Sequence, residues 1–102
     1  MTLAEDEGRV IAFLAREGEE IRLLYTHPDR LGRGAGTALI ERAKQAPVPA
    51  LWLWCFQANA RARRFYEARG FTAVEFTDGS RNEEGVPDMR YLWQRSGSRT
   101  QT

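Results

Sequence analysis

Three glycines at positions 32, 34 and 36 lie in the stretch RLGRGAGTAL, directly before a segment in which apolar residues recur at helical spacing. A glycine inside a helix costs about 1 kcal/mol relative to alanine, so this cluster indicates a requirement of the backbone. A strand that runs through such a loop into a helix leaves N–H groups unpaired at the positive end of the helix dipole. The stretch therefore predicts a binding site for a phosphate-bearing ligand.

Two common phosphate-binding motifs do not fit this spacing. A P-loop requires a Lys-Ser/Thr pair after its last glycine, whereas Gly36 is followed by Thr37 and Ala38. The dinucleotide-binding fingerprint G-x-G-x-x-G requires a glycine where Leu39 stands, and an acidic residue in the region of residues 56–58, which read Phe-Gln-Ala. Both motifs are therefore excluded.

A second motif, N-x-x-A-x-x-F-Y followed by G-F, lies in the stretch NARARRFYEARGF. Its residues are Asn59, Ala62, Phe65, Tyr66, Gly70 and Phe71. Together with LYTHPDRLGRGAGTALI, this stretch closely resembles the GNAT superfamily of N-acetyltransferases, and the resemblance covers about residues 9–95. The family's loop motif is Gln or Arg, two residues, Gly, any residue, then Gly or Ala. Gly34 and Gly36 occupy its glycine positions, but Leu31 stands where Gln or Arg is expected.

The resemblance implies that the cosubstrate is acetyl-CoA. Its pyrophosphate is expected to bind main-chain N–H groups of the loop, so Leu31 weakens the site without abolishing it, and Arg30 or Arg33 is expected to substitute. Pantetheine is expected to pair with main chain around Leu24 and Thr26. The expected cofactor-binding residues are Leu24, Tyr25, Thr26, Arg30, Leu31, Gly32, Arg33, Gly34, Ala35, Gly36, Thr37, Asn59, Ala62, Phe65 and Tyr66.

Two residues are expected to carry the chemistry. An amine with a pKa of ~10.4 costs about 4 to 5 kcal/mol to deprotonate at pH 7, so direct attack in a ternary complex benefits from a base. Some family members carry a glutamate where Glu20 stands, and we predict Glu20 as that base; the alternative is a solvated carboxylate in the run EGEE.

The family often uses the tyrosine at the position of Tyr66 to protonate the departing thiolate. The alternative for Tyr66 is an aromatic residue of the helix stripe. A main-chain N–H near Leu24 is expected to hold the oxyanion.

The acceptor is expected to be a primary amine of a small molecule or peptide. Glu83 and Glu84 lie in a loop that borders the acceptor pocket in this family, where an acidic rim would attract a cationic amine. Ordinary surface charge is the alternative explanation. One histidine, one cysteine and scattered carboxylates do not predict a metal site.

Helices and strands must position these residues. Extended segments are predicted at residues 9–16, 20–26, 50–55, 71–77 and 88–94, and helices at residues 34–46 and 59–69. The segment ALWLWC is apolar on both faces, as in a strand covered on two sides. The predicted fold class is α/β (α+β): a GNAT-like mixed, mostly antiparallel sheet with two main helices. The parallel pair 20–26 and 50–55 is expected to splay apart at its centre.

The domain organisation expected from the sequence is a flexible N-terminus (1–8), a single domain (9–95) and a flexible tail (96–102). GNAT domains usually open with a strand and two helices ahead of the hairpin, so the chain is expected to be a short form. The strand at residues 10–16 would then present an unpaired edge, and proteins seldom leave such an edge bare. A homodimer, or a partner domain, is expected to cover it.

Composition limits the classes of partner. The chain of 102 residues has a net charge of +1 and is 42% hydrophobic and 28% charged, as expected of a globular domain without attraction to nucleic acid or membrane. The single Cys55 cannot form an intramolecular disulfide, and a cytoplasmic location is expected. Two alternatives to an acetyltransferase stay open: a non-catalytic CoA-binding or assembly module, and a regulatory domain that binds another nucleotide.

Overall fold

The computed structural model describes residues 1–95, and the tail expected at residues 96–102 lies outside them. The described part of the chain forms two compact units, of which the first covers residues 1–49 and the second begins at Ala50. The predicted class of mixed α/β structure, with mainly antiparallel strands and two main helices, is confirmed. Within the described residues, neither helix has the length and hydropathy needed to cross a membrane.

The first unit is a three-stranded antiparallel sheet covered by a helix. Its strands are β1 (Thr2–Asp6), β2 (Arg9–Glu17) and β3 (Glu20–Thr26), and a 3-10 turn (Pro28–Arg30) leads to helix α1 (Ala35–Lys44). Ala12 and Leu14 alternate along β2 and are buried. Leu39, Ile40 and Ala43 are the buried residues of α1, which packs on the sheet through this face. The predicted helix at residues 34–46 is confirmed to within two residues at each end.

The expectation of a flexible N-terminus is wrong for residues 2–6. They form β1, in which Leu3 lies opposite Phe13 and Asp6 opposite Arg9. The two residues between the strands, Glu7 and Gly8, both have positive φ (53° and 77°), as a tight two-residue hairpin turn requires. Because β1 pairs with β2, the expected bare edge at residues 10–16 is also wrong. The homodimer therefore stays a prediction, but an unpaired strand edge no longer supports it.

The second unit contains β4 (Ala50–Phe56), helix α2 (Ala60–Ala68), β5 (Thr72–Phe76) and β6 (Asp88–Gln94). Strand β6 lies between β4 and β5 and is antiparallel to both. One face of this sheet carries the buried residues Leu51, Leu53, Cys55, Met89 and Tyr91. The other face of β4 carries Trp54, which is 41% exposed. Strand β4 is therefore buried on one face, not on both as its apolar composition predicted, because its indole side chains alternate with the buried aliphatic ones.

Candidate active site

The glycine loop of the first unit has the geometry of an anion site. Gly34 is the N-cap of α1 with φ 90° and provides no side-chain cap. Ala38 N–H donates to Gly34 O at 2.9 Å, but within residues 1–95 no acceptor pairs with the N–H groups of Gly34, Ala35 or Gly36. A Cβ added at Gly34 would meet nothing within 4 Å, so the space beside the loop is open. A pyrophosphate therefore fits here through main-chain N–H groups at the positive end of α1.

Arg30 and Arg33, which are expected to substitute for the family's Gln or Arg at the position of Leu31, differ in their surroundings. Arg30 Nη2 lies 3.2 Å from Asp6 Oδ2, and its Nε is buried without a partner in the described part of the chain. Arg33 is exposed and forms no ion pair within residues 1–95. Arg30 therefore ties the loop to β1, whereas Arg33 is free to contact a phosphate. Leu31 itself is 47% exposed.

Strand β3, which leads into the loop, is interrupted by a bulge. Ala15 lies opposite Leu23, but the next residue of β2, Arg16, lies opposite Ile21, so Arg22 is an extra residue. Because of this extra residue, the alternation of side chains between the two faces of the sheet does not continue unbroken through Arg22. Leu24 and Thr26 are half-buried residues on one face, and Tyr25, on the other face, is 42% exposed and stacks on Phe13 at a centroid distance of 5.3 Å.

Glu20 begins β3, at the end of the strand away from the glycine loop. Thr26 lies six residue steps along the strand, which corresponds to roughly 20 Å. Its Oε1 lies 3.7 Å from Arg22 Nη1, and its side chain is 25% exposed, against 77% for Glu17. Glu20 is therefore less exposed than the acidic run EGEE suggests, and it is already paired with a cation.

Helix α2 begins as the motif predicts. Asn59 is the N-cap, and its Oδ1 accepts a hydrogen bond from Ala62 N–H at 3.1 Å. Phe65 is fixed by Arg69, whose guanidinium lies 3.9 Å from the ring centroid and donates to Phe65 O at 2.8 Å. The predicted helix at residues 59–69 is thus confirmed, and Asn59 is its cap.

A glycine turn at the end of α2 fixes Tyr66. Phe71 N–H donates to Tyr66 O at 3.1 Å and Gly70 N–H to Glu67 O at 3.3 Å, while Gly70 has φ 92°. This is the Schellman arrangement, in which the residue after the glycine contacts the helix residue whose carbonyl it caps. The rings of Tyr66 and Phe71 make that contact, edge to face, at 5.6 Å.

The Tyr66 side chain lies among aromatic rings. Phe65, Phe71 and Tyr91 have ring centroids 5.2, 5.6 and 6.1 Å from that of Tyr66. Burial, with a smaller contribution from Cys55, raises the pKa of Tyr66 to about 12. The phenol therefore keeps its proton at all physiological pH values. It can donate a hydrogen bond but cannot act as a base.

Tyr91 and Glu67 are the residues of this environment that sequence reasoning missed. Tyr91 is completely buried, and its hydroxyl donates to Glu67 Oε2 at 2.6 Å. The alternating pattern of residues 88–94 places Tyr91 on the inner face of β6, but no sequence signal indicates the partner of its hydroxyl. The bulge at Arg22 was also missed, because it depends on how β3 pairs with β2 and has no signal within β3 itself.

Glu83 and Glu84 lie in the loop between β5 and β6, and both are exposed. Asn82 orders the loop, since its Nδ2 donates to Val86 O at 2.8 Å. Neither glutamate forms an ion pair with any residue that the structure describes. Across residues 1–95, no three His, Cys, Asp or Glu side chains are grouped to hold a metal ion.

The chain matches the acetyltransferase (GNAT) domain family over residues 1–73. It therefore belongs to the GNAT family of acetyltransferases, as the sequence motifs predicted. Acetyl-CoA is the cosubstrate of this family, and the predicted cosubstrate agrees with it.

Individual relatives support this placement. A peptidyl-lysine N-acetyltransferase of Escherichia coli (strain K12), YiaC, is 33% identical over 72 residues, which are 70% of this chain and 49% of that protein. An uncharacterized N-acetyltransferase of Methanocaldococcus jannaschii is 34% identical over 92 residues, covering 76% of this chain and 41% of that protein. The chain thus spans about half the length of the curated relatives it matches, or less.

The fold is shared with solved structures. A putative streptothricin acetyltransferase of Bacillus anthracis str. Ames, solved in complex with acetyl coenzyme A, superposes with a TM-score of 0.81 at 19% identity. The match covers 91% of this chain and 60% of that chain. At this identity the likeness supports the fold class.

Proposed function

We propose that this chain transfers an acetyl group from acetyl-CoA to a primary amine of a small molecule or peptide, by direct attack in a ternary complex. The observation that carries the proposal is the open, glycine-capped start of α1 in a member of the GNAT family, where the N–H groups of Gly34, Ala35 and Gly36 have no partner among the residues that the structure describes. Acetyl-CoA supplies the thioester. The residues of this chain bind it and handle the protons.

Binding of the cosubstrate is proposed to depend on main-chain groups. The N–H groups of the loop and of the first turn of α1 hold the pyrophosphate, and the exposed Arg33 adds a charge-assisted contact. The main chain of β3 from Leu24 to Thr26 pairs with pantetheine. The other residues proposed to line the cosubstrate are Leu31, Gly32, Thr37, Asn59, Ala62 and Phe65, with Arg30 ordering the loop through Asp6.

Tyr66 is proposed to donate a hydrogen bond to the departing sulfur. A free thiol has a pKa of ~8.5, far below the value of about 12 for Tyr66, so the phenol stabilises the developing thiolate while keeping its own proton. Glu20 is proposed to accept the proton of the attacking amine, directly or through water.

The acceptor is proposed to be a cationic amine such as a lysine side chain. Glu83 and Glu84 present two exposed carboxylates without cationic partners among the described residues, and so can attract a positive charge. The likeness to a peptidyl-lysine N-acetyltransferase supports the same class of acceptor.

The proposal is tested in two steps. Calorimetry should detect binding of CoA, and a thiol-release assay with acetyl-CoA and a panel of amines should detect turnover on at least one lysine-containing peptide or small primary amine. Mass spectrometry of the product must show one added acetyl group. Absence of CoA binding by the folded protein would remove the basis of the proposal.

A second candidate function is a CoA-binding module without catalysis. The pairing of Glu20 with Arg22 favours it, because the Glu20 carboxylate already has an ion-pair partner 3.7 Å away, and no contact in the described residues directs it toward an attacking amine. This candidate predicts binding of acetyl-CoA with no turnover on any amine. It also predicts that Tyr66→Phe leaves the binding of acetyl-CoA unchanged.

A cytoplasmic homodimer is also proposed. Its support is the outer face of the first unit's sheet, where Leu3, Leu23 and Tyr25 are 50%, 49% and 42% exposed. Cys55 is a free, buried thiol, which suits a reducing compartment. Sedimentation velocity should give twice the mass of the chain for the wild type, and less for Leu3→Asp. A monomeric wild type would disprove the dimer.

A further inference from the structure

Tyr91 links strand β6 to helix α2. The residue lies opposite Leu53 on β4 and is 0% exposed, and its only polar side-chain atom donates to Glu67 Oε2 at 2.6 Å. A buried hydroxyl without a partner is costly, and hydrogen bonds to carboxylates are among the stronger ones. The pair Tyr91–Glu67 is therefore a defined tether between the two elements.

The tether acts on the turn of α2 that carries Tyr66. Glu67 follows Tyr66 in the chain, and its carbonyl accepts a hydrogen bond from Gly70 in the turn that ends the helix. The other half of α2 has further anchors: the cap at Asn59, and Arg63, whose Nη1 donates to Gln57 O at 3.1 Å and whose side chain also hydrogen-bonds to the Tyr91 hydroxyl. The position of the C-terminal half thus depends on the bond to Tyr91 and on the aromatic contacts of Tyr66.

We propose that Tyr91, through Glu67, is a positioning residue for the Tyr66 hydroxyl. The two tyrosine rings lie 6.1 Å apart, so Tyr91 both supports the Tyr66 ring and fixes the rotation of the helix that presents it. This inference rests on the proposed function, in which Tyr66 must meet the departing sulfur. A displacement on the order of 1 Å at such a group is sufficient to slow a reaction strongly.

The test is a mutant cycle on the full chain. Tyr91→Phe keeps the ring but removes the hydroxyl, and should lower kcat about tenfold while the KM for acetyl-CoA stays within about twofold. In a Tyr66→Phe background, Tyr91→Phe should have no further effect on kcat, because the group that it positions is already gone. If the fold losses of kcat caused by the two substitutions multiply in the double variant, the proposal is overturned.

Glu67 gives a second pair of variants at an exposed position, where loss of folding is not expected. Glu67→Ala should reproduce the loss of kcat seen in Tyr91→Phe. Glu67→Gln retains an oxygen that accepts the hydrogen bond, and should restore at least half of the wild-type rate. Equal rates for the Ala and Gln variants would count against the proposal, because a structural role of the helix surface would not distinguish them.

A readout without turnover separates this inference from the proposed function. NMR of the protein labelled with carbon-13 at the tyrosine Cζ atoms should show the Tyr66 signal displaced in Tyr91→Phe and Glu67→Ala, and restored in Glu67→Gln. If the wild type acetylates no amine, the proposed function fails, and these signals decide the positioning role alone. A Tyr66 signal that is unchanged in both the Phe and Ala variants overturns it.

Discussion

The carbonyl of Tyr66 accepts a hydrogen bond from Phe71 N–H at 3.1 Å, and the two rings meet edge to face at 5.6 Å. Backbone and side chain of Tyr66 are therefore fixed by the same neighbour. Gly70 makes this possible, because its φ of 92° turns the chain back onto the helix. The family's G-F pair, which follows the tyrosine in the sequence, thus has a physical role in the position of that tyrosine.

Gly70→Ala should destabilise the protein by about 1 to 2 kcal/mol, because an L-residue is strained at positive φ. The added Cβ would lie 3.4 Å from Trp93 Cδ1, an ordinary van der Waals contact, so the backbone conformation and not crowding causes the loss. Gly70→Asn is a matched comparison, since asparagine tolerates the left-handed region better, and it should lose less stability. Urea unfolding monitored by circular dichroism measures both values. Equal losses in the two variants would contradict the conformational explanation.

Tyr66→Phe should lower kcat about 100-fold and leave the affinity for acetyl-CoA little changed, because it removes only the hydrogen bond to the departing sulfur. Steady-state thiol release measures kcat, and calorimetry measures the affinity. Phe76→Leu is the control, because Phe76 is 60% exposed and has no proposed role in binding or catalysis. Its kcat should stay within about twofold of wild type. A Tyr66→Phe enzyme with full kcat would rule out the proposed role.

The sequence predicts the two helices to within two residues, because glycine, proline and Asn59 mark their ends through local chemistry. The five predicted strands are also present, because runs of extended-type residues bounded by turn residues are likewise local signals. The strand β1 was missed because its apolar content is low, and its Glu7-Gly8 turn lacks the Asn or Asp that usually marks a tight hairpin. Its pairing with β2 compensates for that weak local signal.

The candidate site is only partly predictable. Asn59, Gly34 and Tyr66 are found from motifs, because a cap, a positive φ and an aromatic stripe are local properties. The tether between Tyr91 and Glu67 joins residues 24 positions apart and depends on how α2 packs on β6. The pairing of Arg30 with Asp6 also spans 24 positions and requires β1, which the sequence did not reveal.

Gly34→Ala should weaken acetyl-CoA binding by about tenfold, because a residue with a Cβ is strained at φ 90° and the loop must shift the N–H groups that hold the pyrophosphate. Calorimetry with CoA measures the affinity. The matched control is Gly8→Ala in the turn between β1 and β2, where φ is 77° and a Cβ also meets nothing within 4 Å. It should lose similar stability but bind CoA normally. Equal weakening in both variants would indicate a general loss of structure.

The double substitution Glu83→Gln and Glu84→Gln should raise the KM for a cationic amine by about three- to tenfold at low salt. The KM for acetyl-CoA should not change, and the effect should shrink as salt screens the exposed carboxylates. The control is Glu41→Gln, on the exposed surface of α1. An unchanged KM for the amine at low ionic strength would show that these carboxylates carry ordinary surface charge.

Alkaline pH should destabilise the folded protein through Tyr66. Burial raises its pKa to about 12, whereas in the unfolded chain a tyrosine has a pKa of ~10. The unfolded state loses its proton first, so the contribution of Tyr66 to stability is fully present below pH 10 and is lost as the pH rises from 10 to 12. The difference between the two pKa values corresponds to on the order of 2 kcal/mol.

Urea unfolding of the wild type and of Tyr66→Phe between pH 9 and 12 should show the difference between their free energies of unfolding changing by this amount. Tyr91, whose pKa is also raised by burial and by Glu67, is present in both proteins and cancels. A difference that stays constant over this range would contradict the assignment of a half-buried Tyr66 that keeps its proton.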